Sequence, residues 1–243
     1  MNDFFIVEYF FLKKKRGLYQ LLNNNNQMPD RSTNEMAIWL LVSAATNITG
    51  IPVAYLNYKK GRIFESVIIM FTVITSFMYH VCDSIGLKGA EGIWLSEGQW
   101  HRQDNVGAIM CFVILFIYLC DFKDKKHAEL FKYIFLCIVI LLQEKSPWYL
   151  NFTIGPIIAS AILFVGKRMI VDKGVFPTCN KRYLKYAVGI HFFAFLCFAR
   201  GLDEHTDPYR VFHGMWHMLS GIGGWYDWQL IKEKKEKDDD DHP

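Results

Sequence analysis

From residue 36 onward the chain alternates long apolar runs with short, charged connections. Each run approaches the roughly 20 residues that an α-helix needs to cross a bilayer. Seven runs are legible: Met36–Tyr58, Ile63–Asp83, Asn105–Asp121, Glu129–Gln143, Tyr149–Gly166, Tyr183–Arg200 and Val211–Ile231. The fourth is the shortest. A soluble helical bundle would need a polar face on each helix. Segments such as IGPIIASAILFV and CFVILFIYLC offer none. The pattern predicts an all-α fold, a seven-transmembrane helix bundle over residues 36–231.

The two ends read differently. KKKRG and NNNNQ mark residues 1–35 as a flexible, solvated N-terminal segment. Its FFIVEYFF stretch is too short and too acid-interrupted to span. It also lacks the order and cleavage site of a signal peptide. The tail KEKKEKDDDDHP, residues 232–243, predicts a charged, disordered C-terminus. No internal repeat or second domain is visible.

A net charge of +3 gives no strong field for nucleic acid, so the expected partners are the bilayer and its lipids. The placement of charge says more. Seven spans put the C-terminus on the side of the first, third and fifth connections. Those carry Lys59, Lys60, Arg62, Lys123, Lys125, Lys126, Lys167, Arg168, Lys173, Lys181 and Arg182, and the tail adds four lysines. The opposite connections carry Lys88, Arg102, Lys145, Arg200 and Arg210. The positive-inside rule then makes the C-terminus cytoplasmic and the N-terminus lumenal or extracellular. The Lys13–Arg16 cluster opposes this from about 20 residues before the first span, where charge counts for less.

The candidate chemistry sits at span ends. His213 and His217 stand four apart in FHGMWHML, so one helix face presents both imidazoles. The second run ends SFMYHVCD, with Ser76 and His80 at the same spacing. The third begins WHRQDNVG, with Asp104 at its mouth. The alternation of spans brings all five residues to the non-cytoplasmic end. Ionisable groups inside a membrane are costly and so mark function. Three neutral nitrogen donors, His80, His213 and His217, suit a zinc ion with one position left for water. Asp104 could orient that water or move protons, and Ser76 could hydrogen-bond a carbonyl oxygen.

Blander readings stand beside these. Ser76 could bond its own backbone, and Asp104 could favour the helix dipole. His101 reads as a partner of Asp104 or as a surface residue, and Asp83 as a helix cap. Asp203, Glu204, His205 and Asp207 read as a solvated loop, with a hard-cation site as the lesser reading. Cys82 is a minor candidate ligand, and the other span cysteines read as packers. A haem held by His80 and one of the other two histidines would leave Asp104 and the third histidine unexplained.

Together, Ser-x-x-x-His, Asp and His-x-x-x-His resemble the CREST superfamily of seven-span membrane proteins. Its members include alkaline ceramidases and the progestin and adipoQ receptors. YHVCDSIG, SEGQWHRQDNVGA and FHGMWHMLSG are most similar to its myomaker-related branch. The resemblance covers residues 36–231. It implies zinc held by His80, His213 and His217, with Ser76 and Asp104 beside the metal. Activities known in the superfamily, ceramide amide hydrolysis and phospholipase action on lipid anchors, imply a lipid hydrolase. The alternative is a non-enzymatic receptor, or a membrane-remodelling or fusion protein, with zinc as a structural clamp.

Overall fold

The computed structural model describes residues 32–86, 93–203 and 207–231. The expected flexible segment (apart from residues 32–35) and the charged tail lie outside these residues, as do Lys88, Glu204 and His205. The chain divides into two compact units, Met1–Met36 and Ala37–Pro243. Of the first, Ser32–Met36 is described. There Ser32 and Glu35 cap each other, with Ser32 N donating to Glu35 Oε2 at 2.8 Å and Glu35 N to Ser32 Oγ at 3.3 Å.

Seven helical segments make up the described residues, with no strand beyond an isolated bridge between Cys179 and Ile231. They are α1 (Thr33–Lys59), α2 (Ile63–Ser84), α3 (Glu97–Leu119), α4 (Lys125–Lys145), α5 (Leu150–Val171), α6 (Lys181–Gly201) and α7 (Val211–Asp227). Five of them, α1, α2, α3, α5 and α6, are long and apolar enough to cross a membrane. The other two fall short for different reasons. α4 opens on Lys125, Lys126, Glu129 and Lys132. α7 has 17 residues, about 25 Å of helix against a hydrocarbon core of about 30 Å.

α3 is the central helix. Val106, Ile109, Met110, Val113, Ile114 and Ile117 are all buried, and they pack with Val53, Ile68, Ile69, Phe135 and Val139 from α1, α2 and α4. Gly107 brings α3 against α2, because a Cβ there would run into Thr72. The start of α3 departs from the sequence expectation. Ser96 and Gln99 form a capping box, so the helix begins eight residues before Asn105. Asp104 therefore lies two turns inside α3 rather than at its mouth.

The irregular stretches carry their own satisfaction. α1 widens into a π-turn at Leu40–Ala44 and tightens into a 3₁₀ stretch at Ala45–Thr49. Pro52 has no N–H for the Ile48 carbonyl, which disfavours a regular helix here. Loosened carbonyls find side-chain donors: Ser43 Oγ bonds Trp39 O at 2.6 Å, Thr46 Oγ1 bonds Val42 O at 2.8 Å, and Asn47 Nδ2 bonds Ser43 O at 2.9 Å. In α5, Pro156 likewise frees the Phe152 carbonyl, and Gln143 Nε2 of α4 donates to it at 3.2 Å. Such repair is what a backbone shielded from water requires.

At the end away from the histidines, Arg168 is buried and donates to Leu119 O, the end of α3, at 2.7 Å. Asp172 receives Lys167 at 2.6 Å and Arg168 at 2.7 Å, and these contacts hold its carboxyl below the usual carboxylate range. Lys132 of α4 is buried against Glu65 of α2.

Candidate metal centre

α7 is positioned by glycines. A Cβ on Gly214 would strike the Val42 carbonyl in the π-turn of α1, one on Gly221 would strike Thr49, and one on Gly223 would strike the His191 ring. Gly201, at the end of α6, meets the His213 backbone in the same way. The backbone of α7 thus sits close against α1 and α6, as small residues allow in membrane bundles.

The start of α7 is fixed by two residues just before it. Asp207 is buried, and its Oδ2 accepts His213 N at 3.0 Å, capping the helix. Arg210 adopts a left-handed conformation, φ 56°, which costs a non-glycine residue energy. Its buried guanidinium lies over the Trp39 ring at 5.0 Å, with Asp83 Oδ2 at 3.6 Å.

His213 and His217 then face His80 of α2. Their Nε2 atoms lie 3.2 Å and 3.0 Å from His80 Nε2. Ligand atoms of all three lie within 4.8 Å of one another, the one such group of three metal-binding side chains among the described residues. Tetrahedral zinc, with Zn–N of 2.0–2.1 Å, would set its nitrogens about 3.3 Å apart. Hydrogen bonding alone satisfies this trio poorly, since a neutral imidazole Nε2 is either donor or acceptor. Nδ1 of His80 and of His213 is buried without a protein partner. With the protons on Nδ1, the Nε2 lone pairs converge, a donor set suited to a cation.

Ser76 lies one helical turn below His80. Its hydroxyl is buried beside the Asp104 carboxyl, within interaction range of it. The α2–α3 contact at Thr72 and Gly107 holds this pair face to face. All five residues singled out from the sequence thus fall in one region, at α2, α3 and α7. Cys82 is fully buried and outside the histidine group.

Sequence reasoning missed several neighbours. Asp207 was expected in a solvated loop and instead caps α7. Arg210 counted as a loop charge, yet it lies three residues before His213, a helical spacing, and within electrostatic reach of all three imidazoles. Tyr79 packs on His80 with ring centroids 4.7 Å apart, and on His101 at 4.8 Å. Elsewhere, His191 of α6 bonds Asp227 of α7 through Nε2 at 2.6 Å.

Residues 35–218 match the model of a family described as "Protein of unknown function (DUF3522)". The matched stretch contains all five candidate residues. No curated protein matches the chain.

Proposed function

This chain belongs to the DUF3522 family, and we propose from its own site that it is a zinc-dependent, membrane-embedded hydrolase of an amide or ester bond in a membrane lipid. The convergence of three imidazole nitrogens above a buried Ser76–Asp104 pair carries this reading. The resemblance to the CREST superfamily supports it. When bound, zinc would supply Lewis acidity and bring the pKa of its water to roughly 7. His80, His213 and His217 would hold it through their imidazole nitrogens. The Ser76 hydroxyl would donate to the lipid carbonyl oxygen as charge develops there. The Asp104 carboxylate would take the proton from the attacking water and return it to the departing amine or alkoxide. A structural clamp needs the ligands alone. A buried hydroxyl and carboxyl beside the three imidazoles are more than holding a metal requires, and their presence favours chemistry.

We read α4 and α7 as spans too. Leu130, Tyr133, Ile134, Ile138 and Leu141 form an exposed apolar stripe along α4, and Phe212, Met215, Met218, Ile222 and Trp225 form one along α7. Water would disfavour both stripes, and lipid accepts them. The paired Lys132 and Glu65 lower the cost of charge in α4. With the Lys and Arg excess, seven spans make the C-terminus cytoplasmic. A C-terminal epitope tag is expected to bind antibody only after permeabilisation; labelling of intact cells would overturn the orientation.

The activity is tested by offering purified protein a panel of ceramides and phospholipids and following fatty-acid release by mass spectrometry. Wild-type protein should release fatty acid from at least one class, and His217→Ala from none. No release by the wild type across the panel would refute the hydrolase and favour the receptor or remodelling reading.

A further inference from the structure

Hydrolysis, and metal exchange, need water at a centre whose His80 is 2% exposed. The surrounding bilayer cannot supply it. On the outer side, ring contacts follow one another without a gap: Tyr79 lies tilted against His80 at 4.7 Å, and His101 meets Tyr79 edge-on at 4.8 Å. Trp148, from the α4–α5 connection, lies flat on His101, with centroids 3.7 Å apart and planes at 12°. Trp148 itself is 61% exposed, so it is the boundary with the outside.

The backbone around this cluster is tied down. Asn105 Nδ2 donates to Pro147 O at 2.9 Å, and Arg102 Nη1 donates to both Glu144 carboxylate oxygens, at 2.8 and 3.0 Å. The loop is therefore pinned to α3 on the near side of Trp148. Uncovering His101 requires rotation of the indole, not displacement of the connection. A second observation marks what lies beneath. His101 Nδ1 is buried without a hydrogen-bond partner. Buried polar atoms of this kind ordinarily have one, from protein or from water. Water arriving under a raised indole would satisfy it.

We propose that the Tyr79–His101–Trp148 ring cluster is the aqueous gate of the histidine centre, and that the Trp148 side chain is its movable lid. The gate serves the hydrolase reading, on which its purpose rests, but its existence is measurable without any turnover. Stacked rings bind weakly, so a lid of this kind opens and recloses readily. His101 and Tyr79 act here as packing surfaces that narrow the passage, and they need not touch a substrate.

The test uses full-length protein in detergent, stripped of metal, and reads acylation of histidines by diethyl pyrocarbonate with peptide mass spectrometry. His127, exposed on α4, is the internal reference. Trp148→Ala should raise the acylation rate of His80 several-fold relative to His127. Trp148→Phe, which keeps a ring on His101, should stay close to wild type. Trp94→Ala, at a 94%-exposed tryptophan outside the cluster, should change nothing. In zinc-loaded protein, the same Trp148→Ala should speed metal loss to EDTA several-fold. Unchanged His80 acylation in Trp148→Ala would overturn the gate, as would an equal rise in Trp94→Ala. A rise in acylation in a protein that takes up no zinc when zinc is offered would leave the gate standing and remove the zinc reading.

Discussion

Protein purified without chelators is expected to carry one zinc per chain, and the His213→Ala, His217→Ala double variant none. The geometry behind this is local to two helices. α7 offers both imidazoles on one face, and α2 offers the third, with the Nε2 atoms of His213 and His217 at 3.2 and 3.0 Å from that of His80. Altering groups that only support ligands costs about 10–100-fold in metal affinity. Removing two of three direct ligands should exceed that and leave no zinc through purification. His80→Ala should behave alike. His191→Ala is the control, because His191 bonds Asp227 and lies outside the group of three. Elemental analysis against protein concentration reads all four proteins. Zinc undiminished in the double variant would mean that the metal sits elsewhere.

Asp104→Asn and Ser76→Ala should separate holding the metal from using it. Neither side chain belongs to the group of three imidazoles, so both variants should keep zinc and fold. A positioned acid or base contributes roughly 10²–10⁴ in rate, and one oxyanion donor about 10²–10³. Lipid turnover should fall by those factors, with Asp104→Asn the more severe. Alanine keeps α2 helical at this position, so the melting temperature should stay close to that of the wild type. Zinc content, melting temperature and turnover measured on one preparation decide the matter. Full turnover in both variants would dismantle the assigned roles.

The helices were legible because apolar runs in a membrane protein are nearly uninterrupted, and the histidine pair of the candidate centre because residues four apart share a face. Boundaries were less so. WHRQDNVG reads as a polar approach to α3, yet it is helical, because the Ser96–Gln99 box starts the helix early and the bundle absorbs its polar side. At the other extreme, the apolar residues Trp228 and Leu230 extend the seventh run beyond Asp227, where the helix stops. Both are buried without being helical, and Ile231 pairs with Cys179 instead. Arg210 and Asp207 escaped notice for a further reason. Their roles depend on a left-handed turn and on neighbours from α2, α6 and the start of α1, none of which has a local sequence period.

The wide turn at Leu40–Ala44 acts as a phase shifter. One extra residue in a helical turn rotates everything before it by about 100°. That rotation aims Trp39, whose Nε1 donates to Pro208 O at 3.0 Å and whose ring lies beneath Arg210. Hydropathy does not register it. Deleting one residue from the turn would leave an equally apolar segment of nearly equal length, still able to enter a bilayer. It would also turn the indole away from the approach to α7. The contact that Trp39 makes just before α7 is thus encoded in a residue count, so insertion frame, more than residue identity, is what this part of the first helix must preserve.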